Sequence, residues 1–117
     1  MPLQGDKQFR VNWPANVTPQ PIDGVGATTL TLCGFMIANA AAAARAVKFW
    51  DKQTAPIVGT DAPKRTIIVP AGSEFVGEFR RGKQFALGLW MAVTVNPADT
   101  DTTAPAAGDI LATVDFA

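Results

Sequence analysis

Hydrophobic and polar residues alternate in short runs along most of this chain. Thr29-Leu30-Thr31-Leu32-Cys33 has the period of two that marks a half-buried strand, and Phe35 to Ala38 carries it past Gly34, where a bulge or bend is expected. Arg45 to Trp50 places Val47 and Phe49 on one face and Lys48 and Trp50 on the other. Lys64 to Val69 predicts the next strand. Ser73 to Arg80 sets Phe75, Gly77 and Phe79 against Glu74, Val76, Glu78 and Arg80, and Arg81-Gly82 reads as a turn. Gln84 to Val95 has the most regular pattern. Phe85, Leu87, Leu89, Met91, Val93 and Val95 share one face, while Ala86, Gly88, Trp90, Ala92 and Thr94 share the other. Ile110 to Phe116 repeats the alternation with Ile110, Ala112, Val114 and Phe116.

The run Ala40 to Ala44 is the one local conflict. Alanine is the best helix former, but five residues are too few to nucleate a helix without tertiary support. Asn39 suits a turn, so Asn39 to Ala43 is expected to be a hairpin connection. Residues 1–27 have a different character. Pro2, Pro14, Pro19 and Pro21 remove backbone donors and favour extended conformations, and Gly24 and Gly26 loosen the segment before the strands begin. It still carries Phe9, Val11, Trp13, Val17 and Ile22, more apolar surface than a plain disordered tail has.

These elements predict an all-β fold, a single antiparallel β-sandwich or jelly-roll-like domain over residues 28–117 with an extended N-terminal arm over residues 1–27. The expected core is Val47, Phe49, Ile67, Val69, Phe75, Phe79, Phe85, Leu87, Leu89, Met91, Val93, Val114 and Phe116. The arm is expected either to pack on its own sandwich or to reach a neighbouring subunit, and the second reading makes it serve attachment instead of folding. A chain starting at Ala27 should then still fold.

Composition narrows the chemistry. The chain has 117 residues, the length of one domain. Its formal net charge is zero, and no basic stripe supports nucleic-acid binding. No apolar run approaches the roughly 20 residues of a membrane span, and the N-terminal residues do not resemble a signal peptide. With no histidine and a single cysteine, Cys33, no Ser-His-Asp, Cys-His or His-based zinc site can be built, and no disulfide can close within the chain. Asp99, Asp101 and Asp109 have the oxygens for Ca²⁺ but not the full ligand series, and capping of their own turns is the commoner role. Glu74 and Glu78 share a strand face as solvated neighbours rather than a glycosidase pair. No catalytic, cofactor-binding or metal-binding residue is therefore expected, and no cofactor.

A charged fraction of 17% is low, which is consistent with apolar surface covered by partners. Each tryptophan is expected either to pack in the core or, because tryptophan is enriched at interfaces, to meet a partner, and Phe9, Trp13, Ile22, Trp50 and Trp90 are the candidate interface residues.

One run carries a resemblance. Asn39, the alanines, Arg45 and then Val47-Lys48-Phe49-Trp50-Asp51-Lys52-Gln53-Thr54-Ala55-Pro56-Ile57-Val58-Gly59-Thr60-Asp61-Ala62-Pro63, followed later by Ala98-Asp99-Thr100-Asp101-Thr102-Thr103 and a last strand, resembles small β-sandwich structural proteins of tailed bacteriophages. The resemblance covers about residues 28–117 and is a pattern of strands and turns, with no catalytic signature. It implies a non-enzymatic virion protein made in the host cytoplasm. Among virion positions, a capsid decoration or cement protein is expected, a homo-oligomer, most simply a trimer, that binds the major capsid protein or other virion proteins. A tail, neck or fibre component, or a carbohydrate-binding β-sandwich with exposed tryptophans, is the alternative.

Overall fold

Eight antiparallel strands build the computed structural model, which describes residues 7–24 and 29–117. The strands are β1 (Lys7–Asn12), β2 (Gln20–Pro21), β3 (Leu30–Asn39), β4 (Arg45–Asp51), β5 (Arg65–Val69), β6 (Glu74–Phe85), β7 (Leu89–Thr94) and β8 (Ile110–Phe116). They form two four-stranded sheets, ordered β1-β8-β3-β6 and β2-β7-β4-β5, which we call sheets A and B. This is the expected all-β fold, with no helix among the described residues.

The core lies between the sheets. Phe9, Val11, Leu32, Phe35, Ile37, Phe85, Ala112, Val114 and Phe116 of sheet A meet Val47, Phe49, Ile67, Val69, Met91 and Val93 of sheet B. The rings of Phe35 and Phe49 approach to 6.5 Å between centroids across the gap. The chain alternates between the layers, and only β4 and β5 are consecutive strands paired within one sheet. Asn39 to Ala43 is accordingly not a hairpin but an arch from sheet A to sheet B. Asn39 is buried and holds the arch: its amide donates to the carbonyls of Ala43, Val69 and Pro70, and its Oδ1 accepts from Ala41 N–H. A buried amide needs such partners, and here the arch supplies them.

Within residues 7–24, β1 and β2 are extended and pair with the chain's own sheets, with bends and a turn around them. β1 pairs with β8 from Lys7↔Phe116 to Asn12↔Leu111, and β2 pairs with β7. Trp13 and Ile22 are buried in the common core. The boundary expected between residues 27 and 28 falls outside the described residues. The apolar residues of this segment find their place on the edges of the chain's own sheets, which is where unpaired backbone groups are available.

The strand expected from Gln84 to Val95 is two elements. β6 runs from Glu74 through Phe85, the chain bends at Ala86–Gly88, and β7 begins at Leu89 in the other sheet. Arg81-Gly82 does not end β6. Between the pairs Leu32↔Lys83 and Gly34↔Glu78, four residues of β6 stand opposite the single Cys33, and Gly82 takes φ +74° inside this excursion. Leu87 therefore lies on the surface at the bend, 53% exposed, and Phe75 at the margin of sheet A is 40% exposed. Both are corrections to the expected core, and Phe79 is only partly buried against it. Val47, Phe49, Ile67, Val69, Phe85, Leu89, Met91, Val93, Val114 and Phe116 are buried as expected.

Candidate interaction surface

The outer face of sheet B is closed by the chain's own loops. Every residue of β7 is buried, including the outward-facing Trp90, Ala92 and Thr94. Trp50 and Trp90 are cross-strand partners there, and each indole N–H is satisfied by the loop between β4 and β5: Trp50 Nε1 donates to Asp61 O at 2.8 Å, and Trp90 Nε1 to Lys52 O at 3.0 Å. That loop is fixed by Asp61, which accepts from Ile57 N–H and from Lys52; these two bonds hold its carboxyl below the ordinary range.

The loop between β7 and β8 covers the next part of the face. Asp101 accepts from Asn96 and Thr103; burial pushes its carboxyl up, but these bonds outweigh it and hold the pKa down. The two loops touch at Gly59, which has φ +90°. A Cβ there would lie 2.5 Å from Thr102 Cγ2, so a glycine is required both for the conformation and for the approach.

Lys48 is enclosed beneath this cover. Its side chain is buried and its Nζ donates to Ala98 O at 2.6 Å. Burial lowers its pKa, against the opposing pull of Asp101 and Asp99. Asp109 spans another junction, pairing with Arg45 at 3.0 Å and accepting from Ala106 N–H. The aspartates considered as Ca²⁺ ligands thus include two, Asp101 and Asp109, that are engaged in turns, and among the described residues no group of three or more His, Cys, Asp or Glu is placed to hold a metal.

Four of the five expected interface residues are consequently interior. Trp13, Ile22, Trp50 and Trp90 are all buried within one chain, Trp13 with its indole N–H donating to Asn16 O. Phe9 is partly buried, on β1 opposite Val114. The cover is local in each case: each indole N–H finds a carbonyl within the chain, and the apolar side chains of Ile22 and Phe9 pack against the chain's own core.

The largest group of exposed apolar residues lies around β6, while Ile57 in the loop between β4 and β5, Leu87 and Leu111 stand apart. Met36 and Val76 are cross-strand partners on the outer face of sheet A, with Val76 69% exposed. Phe75 follows at the open margin, stacked on Phe35 at 5.6 Å, and Ile68 of β5 is exposed on the neighbouring edge of sheet B. Phe79 completes the margin beneath the Arg65 guanidinium. Gly77 lies at its centre, and a Cβ on Gly77 would overlap the Phe35 ring.

Known protein families, curated proteins and solved structures offer no match to this chain. The outer face of sheet A also has a shallow depression over Gly34, between Glu78 and Asp115, where Asp115 Oδ1 is buried without a hydrogen bond. Two carboxylates are a small part of a hard-cation ligand set. The apolar margin of β6 is the more distinctive feature. Sequence alternation gave both faces of this segment, but its place at a sheet edge depends on partners remote in the chain.

Proposed function

We propose that this chain is a non-enzymatic structural protein of a tailed-bacteriophage virion, a capsid decoration protein that self-associates on the head surface and binds the major capsid protein. The observation that carries the reading is the exposed apolar margin of Phe75 and Val76 on the edge strand β6, continued by Met36 on the neighbouring β3. Apolar side chains beside unpaired strand backbone are suited to burial against another protein. The resemblance of the Asn39 to Pro63 run and of the Ala98 to Thr103 loop to phage β-sandwich proteins supplies the setting. In this fold both stretches work as architecture: the first supplies β4 and the loop over the tryptophans, and the second closes over Lys48. A sugar-stacking role for Trp50 or Trp90 finds no support, because both rings are covered.

The test is the protein's place in purified particles of the virus that encodes it. Immunogold labelling and quantitative mass spectrometry should find it on the head, in a copy number that matches the capsid lattice. A copy number typical of a neck, baseplate or fibre tip would instead favour a tail component. Absence from particles would remove the virion reading.

A further inference from the structure

We propose that two copies of this chain join edge to edge through β6, antiparallel about a two-fold axis at Gly77, so that their A sheets become one eight-stranded sheet. The inference rests on the reading above only in treating the β6 margin as an interface; the pairing itself is argued from the strand.

Among the described residues, β6 ends sheet A with β3 as its one neighbour, and it is the longest strand. The other edges are blunted. β2 is two residues long and ends in Pro21, β5 is flanked by Pro63 and Pro70, and the charged residues of β1 are both cations, Lys7 and Arg10. β6 has no proline and no such single-sign charge. Beyond Glu78 it departs from β3, and Phe79–Gly82 have no ladder partner there.

The charge pattern selects the occupant and the register. Opposed residues in an antiparallel pair share a face, and a two-fold contact repeats every pair. Centring on Gly77 sets Glu74 opposite Arg80 of the second copy, Phe75 opposite Phe79 and Val76 opposite Glu78, each twice, with no side chain at the axis. Shifting the centre to Val76 sets Glu74 against Glu78. Shifting it to Glu78 sets that carboxylate against its own copy. Only the Gly77 register among these joins opposite charges, and Glu74 and Arg80 are both exposed and available.

Sedimentation velocity on the full chain across micromolar concentrations tests this, with Glu74→Arg, Arg80→Glu and an equimolar mixture of the two. The wild type should be a dimer. Each single variant places like charges at both ends of the paired segment and should self-associate about tenfold more weakly or worse. The mixture should recover dimers, because every pair is again opposite in sign. A variant that merely misfolds would not be rescued by mixing. In a second measurement, Val76→Cys mixed with Glu78→Cys should form an intermolecular disulfide that neither variant forms alone. A wild-type monomer or trimer, variants that dimerise unchanged, or a mixture without recovery would each overturn the two-fold β6 contact. So would capture of a different virion protein on this edge in place of a second copy. The sedimentation and disulfide outcomes do not decide whether the protein is found in particles, and its presence in particles does not decide the β6 contact, so the two readings fail separately.

Discussion

Asp51 shows how much one side chain can organise. At the end of β4 its carboxylate accepts from the backbone N–H groups of Leu87 at 2.8 Å, Ala86 at 3.2 Å and Gly88 at 3.3 Å, and pairs with Lys64. It thereby caps the bend that carries the chain from sheet A to sheet B. Burial pushes the carboxyl up, yet the three N–H groups and Lys64 outweigh it and hold the pKa below 3.8. A depressed carboxylate stabilises the fold fully above its unfolded value and loses that contribution as pH falls through its folded value. Asp51→Ala is expected to cost about 1.5–3 kcal/mol at neutral pH, the range for hydrogen bonds to a charged group. The difference from wild type in urea unfolding should shrink as the pH drops below the ordinary carboxylate range. Lys48 has the opposite sign. Its folded pKa lies below 10.5, so the unfolded chain binds the proton more tightly, and its contribution to stability rises with pH across the window between the two values. Lys48→Met should be neutral or stabilising at neutral pH, because it removes a charge buried beneath a loop, and it should abolish that alkaline gain. Unfolding midpoints measured from neutral to strongly alkaline pH check both statements.

At the scale of elements, strand position decides the value of a ring. Phe49 is fully buried in β4 between two neighbours, whereas Phe75 is 40% exposed at the edge in β6. Phe49→Ala should cost about 3–5 kcal/mol and Phe75→Ala distinctly less in the isolated chain, as chemical unfolding will show. The alternation of Arg45 to Trp50, Lys64 to Val69 and Ile110 to Phe116 made these strands legible, because each needs only its own side chains to declare two faces. The bend between β6 and β7 was not. Leu87 continues the alternation across it, and the group that holds the bend, Asp51, is remote in sequence. The cover over the tryptophans was illegible for a related reason. A period of two assigns Trp50 to the face opposite Phe49, but it is silent on whether a loop will return to cover that face. The loop with Gly59 does so, using an approach to Thr102 that no local pattern records. The β6 edge was legible in composition and illegible in position.

For the whole molecule, the N-terminal segment changes from an accessory to a structural part. β1 closes sheet A against β8, and Trp13 and Ile22 fill the core between the layers. A chain starting at Ala27 would expose the flank of β8 and empty those sites. It is expected to be unfolded or aggregated, in contrast to the independent folding that its proline-rich sequence suggested. Circular dichroism and solubility of the truncated chain decide the point.

No two neighbours in sheet A are consecutive in the chain; the order is β1-β8-β3-β6. None of that sheet can arise as a local hairpin, so each pairing must close a long loop, and refolding on the slow side for a domain of this size follows. The delay has a protective side. The edge of β6 over Glu74–Glu78 becomes an ordered template only once β3 has aligned it, and β3 is in turn held by β8. Nascent and half-folded chains thus lack the very surface through which finished ones would recognise each other, and the order of folding works as a checkpoint on assembly.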